Sequence, residues 1–432
     1  MLPAAGFCQD LPVKARALSL DEAISTAFDH NSDIRVQEEE IKVASSAVLA
    51  AKGNFLPRVN AAASYDHNQS VLSVPAIPGA KKDPGIFSGY RQDNRLGVVL
   101  SAPVYSGGAN TAGLRQAQTR TAIERQTLRA QKSAVKLETK RLYYGLLLAA
   151  QTRRIAAKLV GLAKAHYASA RKRYQQGTVS RFDVLQSKVQ VAKLIPEMVR
   201  ADNALELTRA ELKKLLGLDL DDDIILTDKL EVFLIKIDEK AFLKRAYLNN
   251  PRMSLRSLGV DLGQWSIALA DSLDKPRLDL GADYSVRSNN TGNIFDRRHN
   301  NWSAGVTVSV PIFDAFSSRS RVQEAKSRYR QAVIEKEDLS RQIAFQVKQA
   351  CLDLKRAQAV MASQKSSLDE AREALRIADI GYASGVNTNL DVMDSQVSLS
   401  QIEKNMYESM YDYLMAQAFL DDVMGNGGND ET

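Results

Sequence analysis

RYQQGTVSRFDVLQSKV, residues 173–189, places one glycine in a long, charged tract whose composition is otherwise helical. A similar pattern returns at residues 380–397 as IGYASGVNTNLDVMDSQV, and the two glycines, Gly177 and Gly385, lie 208 residues apart. A glycine at this position is typical of a helix end, because glycine enters the left-handed conformation without steric cost. The two stretches therefore predict a pair of helical hairpins, each turning at its glycine.

Other stretches repeat at about the same offset, which indicates an internal duplication of the whole chain. SAPVYSGG at 101–108 matches SVPIFDAF at 309–316, and FLPRV matches DKPRL before a strand in each half. The two repeats cover about 18–230 and 237–425. Each repeat has the same predicted order, which is a helix, two strands, a very long helix, the glycine turn and a returning helix.

The long tracts are rich in Ala, Gln, Lys, Arg, Glu and Leu and predict helices far longer than those of a globular protein. The bounds predicted in the first repeat are helix 19–54, strands 57–67 and 94–104, long helix 110–176 and returning helix 180–216. Those predicted in the second repeat are helix 238–274, strands 276–287 and 301–312, long helix 318–384 and returning helix 388–424. Each long helix would extend on the order of 100 Å, which favours coiled-coil-like or barrel-like packing. Pro196 should kink or split the first returning helix, because proline removes a backbone donor.

The composition and the scattered reactive side chains argue against several classes of function. The 432 residues carry a formal net charge of +7 but no basic run with interleaved aromatic residues, so no nucleic-acid partner is expected. The two cysteines and four histidines lack metal-ligand spacing, and no nucleotide-binding or hydrolase motif occurs. We therefore expect no enzymatic activity, no metal and no cofactor.

The two ends of the chain are expected to lie outside the repeats. Residues 1–17 resemble the remnant of a secretory signal cleaved before Gln9, and a flexible N-terminus is an equally good interpretation. Lipidation of Cys8 is the weaker interpretation, because the bulky Phe7 precedes it. Residues 426–432 are expected to form a disordered tail.

The pattern of apolar residues in the strands indicates whether the sheet lies in water or in a lipid bilayer. In residues 277–286 and 302–310, apolar side chains alternate with small or polar ones, as in a sheet with one apolar and one wet face. The apolar positions with large side chains are Leu278, Leu280, Tyr284, Val286, Trp302, Val306, Val308 and Val310. Two interpretations stay open: soluble hairpins laid on a helical core, or strands that cross a bilayer with these side chains facing lipid. In the second interpretation, four strands cannot close a barrel, so a trimer would supply about twelve.

The duplicated layout, the PRV and PRL strand entries, the APVYSGG and VPIFDAF joints and the two glycine turns make the chain resemble the TolC-like outer membrane efflux proteins. The resemblance implies a mixed α/β membrane protein, in which a trimeric, twelve-stranded transmembrane β-barrel with four strands per chain continues into a long periplasmic α-helical barrel. It implies a passive exit duct for efflux or secretion of small molecules or proteins, in the outer membrane of a Gram-negative bacterium. The implied partners are two further copies in a homotrimer, outer membrane lipid, a periplasmic adaptor and a proton-driven or ATP-driven inner-membrane pump. The alternative is a periplasmic or surface coiled-coil scaffold without a pore.

The same resemblance assigns positions and roles along the duct. The strand-connecting loops at 67–93 and 287–300 would be extracellular, and the turns at Gly177 and Gly385 would lie at the periplasmic tip. Family members close this tip with a tyrosine–aspartate link and with rings of aspartate that constrict the pore. By position, Tyr382 and Asp183 match the link, while Asp391 and Asp394 match the rings.

Three further tip residues depart from the family pattern or stand beside it. Asn387 replaces a residue that is usually basic, Phe182 stands where a small hydroxylated residue can occur, and Arg181 could supply a charge from the other turn. The alternative interpretation is structural: Asp183 and Asp391 would be helix N-caps, and the matching tyrosines would only pack at the turns.

Overall fold

The computed structural model of the chain describes residues 16–67, 72–74, 86–88, 92–288 and 300–426. The predicted signal remnant with Cys8, most of the two strand-connecting loops and nearly all of the C-terminal tail lie outside the described residues. No described helix is long and apolar enough to cross a membrane.

Helices and strands follow the duplicated order. The elements of the first repeat are β1 Arg16–Leu18, α1 Leu20–His30, α2 Ser32–Gly53, β2 Arg58–His67, β3 Leu72–Val74, β4 Ile86–Ser88, β5 Gln92–Tyr105, α3 Ala109–Gln175, α4 Arg181–Leu215 and β6 Ile224–Leu226. Those of the second repeat are α5 Glu239–Asn249, α6 Pro251–Asp271, β7 Arg277–Ser288, β8 Asn300–Ser309, α7 Ser317–Ser384 and α8 Asn389–Val423. Both long helices thus begin one residue before their predicted positions.

The first predicted helix of each repeat is in fact two helices, so that expectation was wrong. Asn31 and Asn250 interrupt them with extended backbone angles, φ −65°, ψ 125° and φ −62°, ψ 120°. Each asparagine then caps the helix that follows, because its Oδ1 accepts a hydrogen bond of 2.9 Å from the amide two residues ahead. Pro251 adds to the second break, since a residue before proline disfavours the helical conformation.

Three other expectations also need correction. Of the kink or split expected at Pro196, the split does not occur, because α4 continues through that residue. The N-terminal segment is not wholly flexible, since β1 pairs in parallel with β6 over three residues. The last strand, β8, ends at Ser309 rather than at 312, so Val310 lies one residue beyond it.

Four strands form one antiparallel sheet in the order β2-β5-β7-β8, with β2 and β8 at its edges. The register places residues of like character opposite each other, and directly opposite residues share a face. One row across the sheet consists of Ala61, Val98, Tyr284 and Trp302. The neighbouring residues in each strand point to the other face and include Asn60, Asp283 and Ser303.

Two joints connect the sheet to the long helices, and both use left-handed backbone. Between β5 and α3, Gly107 and Gly108 have φ of +64° and +92°. At the matching positions between β8 and α7, Ala315 and Phe316 have φ of +54° and +67°. A residue with a side chain pays about 1–2 kcal/mol for this conformation. The second joint is therefore strained where the first is relaxed.

The chain divides into two compact units, and their cores differ. The described residues within 1–39, 126–255 and 337–432 form one unit, and those within 40–125 and 256–336, which include the four-stranded sheet, form the other. The core of the first unit centres on Tyr143, which is fully buried and whose hydroxyl donates to Asp228 Oδ2 at 2.7 Å. The second unit leaves most of its apolar sheet residues exposed, so the part of the chain that the structure describes does not cover this face.

Candidate functional site at the two glycine turns

Both α3 and α7 end in the same backbone motif at a glycine. Gly177 and Gly385 have φ of +75° and +80°. In each motif the amide after the glycine donates to the carbonyl five residues back, and the glycine amide donates to the carbonyl three residues back. The four bonds are Thr178 N to Arg173 O (3.0 Å), Gly177 N to Tyr174 O (2.9 Å), Val386 N to Gly381 O (2.8 Å) and Gly385 N to Tyr382 O (3.3 Å).

Both returning helices begin with a capping box three residues after the glycine. At α4, Asp183 Oδ2 accepts from the amide and hydroxyl of Ser180 at 3.0 and 2.7 Å, and Ser180 Oγ accepts from the Asp183 amide at 3.1 Å. At α8, Asp391 and Thr388 form the same set at 2.7, 2.7 and 3.3 Å. The N-caps are therefore Ser180 and Thr388. The two aspartates stand at the third helical position, so the alternative that named them as N-caps was wrong in detail.

The two aspartates of α8 are exposed on one side of the hairpin. The hydroxyl and amide of Thr388 donate to Asp391 and lower the pKa of its carboxyl below the ordinary value, so that it stays charged. Asp394 follows one helical turn later and is also exposed. Val392 and Met393, between them, are buried. The turn therefore presents two carboxylates outward while its apolar side packs within the chain.

Tyr382 packs against the first repeat rather than bonding to its aspartate. The Arg173 guanidinium lies 4.7 Å from the centre of the tyrosine ring, and its Nη1 donates to the Tyr382 carbonyl at 3.1 Å. The His166 ring is 5.1 Å away. Among the described residues the buried Tyr382 hydroxyl has no hydrogen-bond partner, while Asp183 is occupied by its capping box. The Tyr382–Asp183 link implied by the resemblance is thus not made within the chain.

Asn389 is the buried polar centre of the turn region. Its Oδ1 accepts from Ser187 Oγ at 3.3 Å and contacts His166 Nε2. Its Nδ2 donates to the carbonyl of Asp183 at 3.4 Å and to Gln186 Oε1 at 3.3 Å. Because Asn389 opens α8, His166 lies on α3 and the others lie on α4, this side chain joins three helices across the two repeats.

Asn387 folds back over the end of α7. Its backbone amide donates to the Gly381 carbonyl at 3.1 Å, and its side-chain Nδ2 donates to the Ala378 carbonyl at 3.5 Å. A Cβ added at Gly381 would lie 2.5 Å from Asn387 Nδ2, so the glycine makes room for this side chain. Asn387 therefore closes a helix end within the chain, at the position where the resemblance leads one to expect a basic residue.

The first two residues of α4, Arg181 and Phe182, are exposed, and Phe182 retains 71% of its accessible surface. The basic side chain that crosses from the first turn to the second within the chain is Arg173, not Arg181. Sequence reasoning missed Arg173 and Asn389. Both could have been found by comparing the repeats, because the matching residues, Gly381 and Arg181, have entirely different chemistry.

The sheet carries the other group of predicted site residues. Val286 is buried within the chain, Leu278 is partly buried, and Trp302 retains 74% of its accessible surface. Leu280, Tyr284, Val306, Val308 and Val310 are exposed. On the opposite face, Asp93 is buried and forms ion pairs of 2.7 Å with Arg95 and Arg287. No cluster of potential metal ligands occurs in the part of the chain that the structure describes.

Known proteins resemble this chain over nearly its whole length. The family model described as outer membrane efflux protein matches residues 23–218 and 242–426. The outer membrane protein TolC of Vibrio cholerae is 20% identical over 95% of this chain and 91% of its own length. The alkaline protease secretion protein AprF of Pseudomonas aeruginosa is 20% identical over 94% and 84%. The cobalt-zinc-cadmium resistance protein CzcC of Cupriavidus metallidurans is 21% identical over 95% and 91%.

Solved structures share the fold at low sequence identity. The outer membrane channel CmeC of Campylobacter jejuni superposes with a TM-score of 0.82, covering all of this chain and 95% of its own at 16% identity. The outer membrane protein VceC of Vibrio cholerae has a TM-score of 0.79, covering 94% and 96% at 16% identity. The fold therefore holds over nearly the whole length of these chains.

Proposed function

This chain belongs to the outer membrane efflux protein family, and we propose that three copies of it close one twelve-stranded barrel and form a passive exit duct. Family membership makes the chain an outer membrane efflux channel rather than a coiled-coil scaffold. The observation that carries the proposal is the four-stranded sheet. Among the described residues, its apolar face is mostly uncovered and its two edges are unpaired.

The height of the apolar face fits a bilayer. The apolar positions of β7 run from Leu278 to Val286, which is nine residues. At about 3.3 Å per residue and a tilt of about 40°, they cover roughly 23 Å, close to the ~25 Å apolar band of outer-membrane barrels. Tyr284 and Trp302 stand side by side toward the loop end of this face, where interfacial aromatic residues of barrels are found.

The edges of the sheet support the number of copies. In lipid, the unpaired backbone groups of β2 and β8 would each cost several kcal/mol, so these edges must pair. Four strands are too few for a barrel, because about eight are the minimum. All neighbouring strands are antiparallel, and β8 runs opposite to β2. The β8 edge of one copy can therefore pair with the β2 edge of the next, and three copies give twelve strands.

Family membership supports the proposed partners. The sequence contains no nucleotide-binding motif, and we place the supply of transport energy outside the duct. We assign this role to an inner-membrane pump, proton-driven or ATP-driven, reached through a periplasmic adaptor. The names of the relatives concern a secreted protease in one case and metal resistance in another. The proposal is accordingly a duct, without commitment to one cargo.

We assign the glycine turns to the periplasmic mouth of this duct. In a threefold assembly, Asp391 and Asp394 would contribute six carboxylates around one axis. The capping box of Asp391 favours its charged form, so the ring would attract cations. Arg181 and Phe182, exposed at the start of α4, are available for contacts between copies at the same mouth.

Planar bilayers test the proposal. The purified protein should form pores that discriminate in favour of cations, and Asp391→Asn with Asp394→Asn should weaken this preference and any block by divalent cations. Asp369→Asn with Asp379→Asn, which neutralises two exposed aspartates of α7, is the charge-matched control. A water-soluble, elongated monomer that needs no detergent for extraction would contradict the duct. Unchanged selectivity in the Asp391 and Asp394 variant would contradict the assignment of the mouth.

A further inference from the structure

The end of β8 leads into a strained and strongly exposed apolar segment, residues 312–316. Ile312, Phe313 and Phe316 retain 96%, 78% and 68% of their accessible surface. The two phenylalanine rings contact each other edge to face, with centroids 5.9 Å apart. Ala315 and Phe316 occupy left-handed backbone where the first repeat has two glycines. The exposed Phe316 is therefore held in a strained conformation at the end of the sheet.

A second apolar segment lies at the other edge of the same sheet. Phe55 and Leu56, just before β2, retain 45% and 61% of their accessible surface. They follow the last turn of α2, and Asn110 Nδ2 donates to the carbonyl of the preceding Asn54 at 2.7 Å. The two segments thus flank the sheet at the end where the strands meet the helices, one at each unpaired edge.

Pairing between copies brings these two segments together. β2 and β8 are both ten residues long. Antiparallel pairing along their full length places Ser309 of one copy opposite Arg58 of the next. Three residues further along, Ile312 then stands opposite Phe55. Closing the barrel therefore covers the segment at 312–316 with residues 55–56 of a second copy.

We propose that Ile312, Phe313 and Phe316 form an inter-subunit seam with Phe55 and Leu56 of a second copy, at the helix-side rim of the barrel. The inference rests on the trimer proposed above and names residues that hold it. The strained joint belongs to this seam, because Phe316, one of its two left-handed residues, is exposed and packs against Phe313. Asp314 fixes the joint, since its Oδ2 accepts from the Ser318 amide at 2.7 Å.

Disulfide trapping tests the seam directly. In a full-length chain with both natural cysteines replaced by serine, Phe55→Cys with Ile312→Cys should give covalent dimers and trimers when membranes are oxidised, because disulfides form only between close Cα atoms. The control is Phe55→Cys with Tyr105→Cys. Tyr105 is exposed at the same end of the sheet, but on β5, which pairs with β2 of the same chain, so any disulfide of this pair forms within one copy and gives no covalent dimers or trimers.

The same membranes are treated with a lysine-reactive crosslinker, which reports the trimer independently of the seam. Trimers with this reagent, together with no disulfide at the 55–312 pair or an equal yield at the control pair, would overturn the seam and leave the duct standing. No oligomer with either reagent would overturn the trimer itself.

Side-chain truncation provides a second measurement. Phe316→Ala should lower the temperature at which the detergent-resistant trimer dissociates on a gel, Phe316→Leu should restore most of it, and Tyr105→Ala should have little effect. Ala315→Gly, which relieves the left-handed strain at residue 315 but leaves the seam side chains in place, should not lower it. If Tyr105→Ala lowers the temperature as much as Phe316→Ala, the seam is contradicted.

Discussion

Replacing Arg173 by methionine should weaken the contact between the two glycine turns while leaving the fold intact. These turns, at Gly177 and Gly385, are called the joined turns because Arg173 of the first contacts Tyr382 of the second. The substitution keeps the length of the side chain and removes its charge, and with it the contact at 4.7 Å to the Tyr382 ring and the donor at 3.1 Å to the Tyr382 carbonyl. The ring contact contributes about 1 kcal/mol at a partly exposed site, and the hydrogen bond about 1 kcal/mol more. A loss of about 2 kcal/mol shifts the balance between joined and separated turns by roughly 30-fold.

Single-channel recording in planar bilayers measures this shift. If the mouth is closed by the joined turns, Arg173→Met should raise the baseline conductance or the fraction of time spent open. Lys172→Met is the matched control, because Lys172 is the neighbouring exposed base in the last turn of α3 and its loss changes the net charge equally. Arg173→Lys should give an intermediate result, since a lysine retains the charge but not the planar guanidinium.

One result would refute this reasoning. If Arg173→Met and Lys172→Met change the conductance to the same extent, the effect is one of net charge, and the contact with Tyr382 does not hold the turns together. An unchanged melting temperature in both variants would exclude unfolding as the cause of any difference.

Two further predictions concern the space around Gly425 and the pH dependence of the capping box at the start of α8. Gly425→Ala should destabilise the protein by at least ~3 kcal/mol, against about 1–2 kcal/mol for Gly177→Ala, in denaturant unfolding of the detergent-solubilised chain. Both glycines have φ near +75°, so both substitutions place alanine in left-handed backbone. They differ in space, because a Cβ at 425 would lie 2.3 Å from the Asn249 carbonyl oxygen, whereas one at 177 would meet nothing within 4 Å. Equal losses of unfolding free energy in the two variants would contradict this steric explanation. Because the folded pKa of Asp391 is depressed, its capping box adds stability above the ordinary aspartate pKa, and this contribution is lost as pH falls through the folded value. Thr388→Ala should therefore lower the melting temperature more at pH 6 than at a pH below the folded pKa of Asp391, where only the uncharged cap bond from the Asp391 amide is lost, and an equal loss at both pH values would argue against this origin.

The helix ends were predictable because their signals are local. Gly177 and Gly385 fix the ends of α3 and α7 through bonds within six residues, and the hydroxyl caps Ser180 and Thr388 lie directly beyond them. The breaks at Asn31 and Asn250 were missed, because apolar spacing continues across them and the break consists of a single extended residue. The signal at both breaks is the capping preference of asparagine, and at the second break Pro251 adds a preference for a helix start.

The contacts between the repeats were not predictable from spacing. Arg173 and Tyr382 lie 209 residues apart in the chain, and β1 pairs with β6 over a similar separation with three residues each. Local periodicity carries no information about such partners. The alternation in the strands did predict which residues share a face, because side chains alternate strictly in a sheet and the register leaves no choice once one row is fixed.

The two open edges of the sheet make assembly of the protein depend on the concentration of newly synthesised copies. A newly synthesised copy carries unpaired β2 and β8 and an exposed apolar face. Such edges pair readily with any extended chain, so a lone copy is an aggregation hazard until its neighbours arrive. The rate of successful assembly should therefore rise steeply with the concentration of fresh copies. Slow production should correspondingly favour aggregation of lone copies over closure of the barrel.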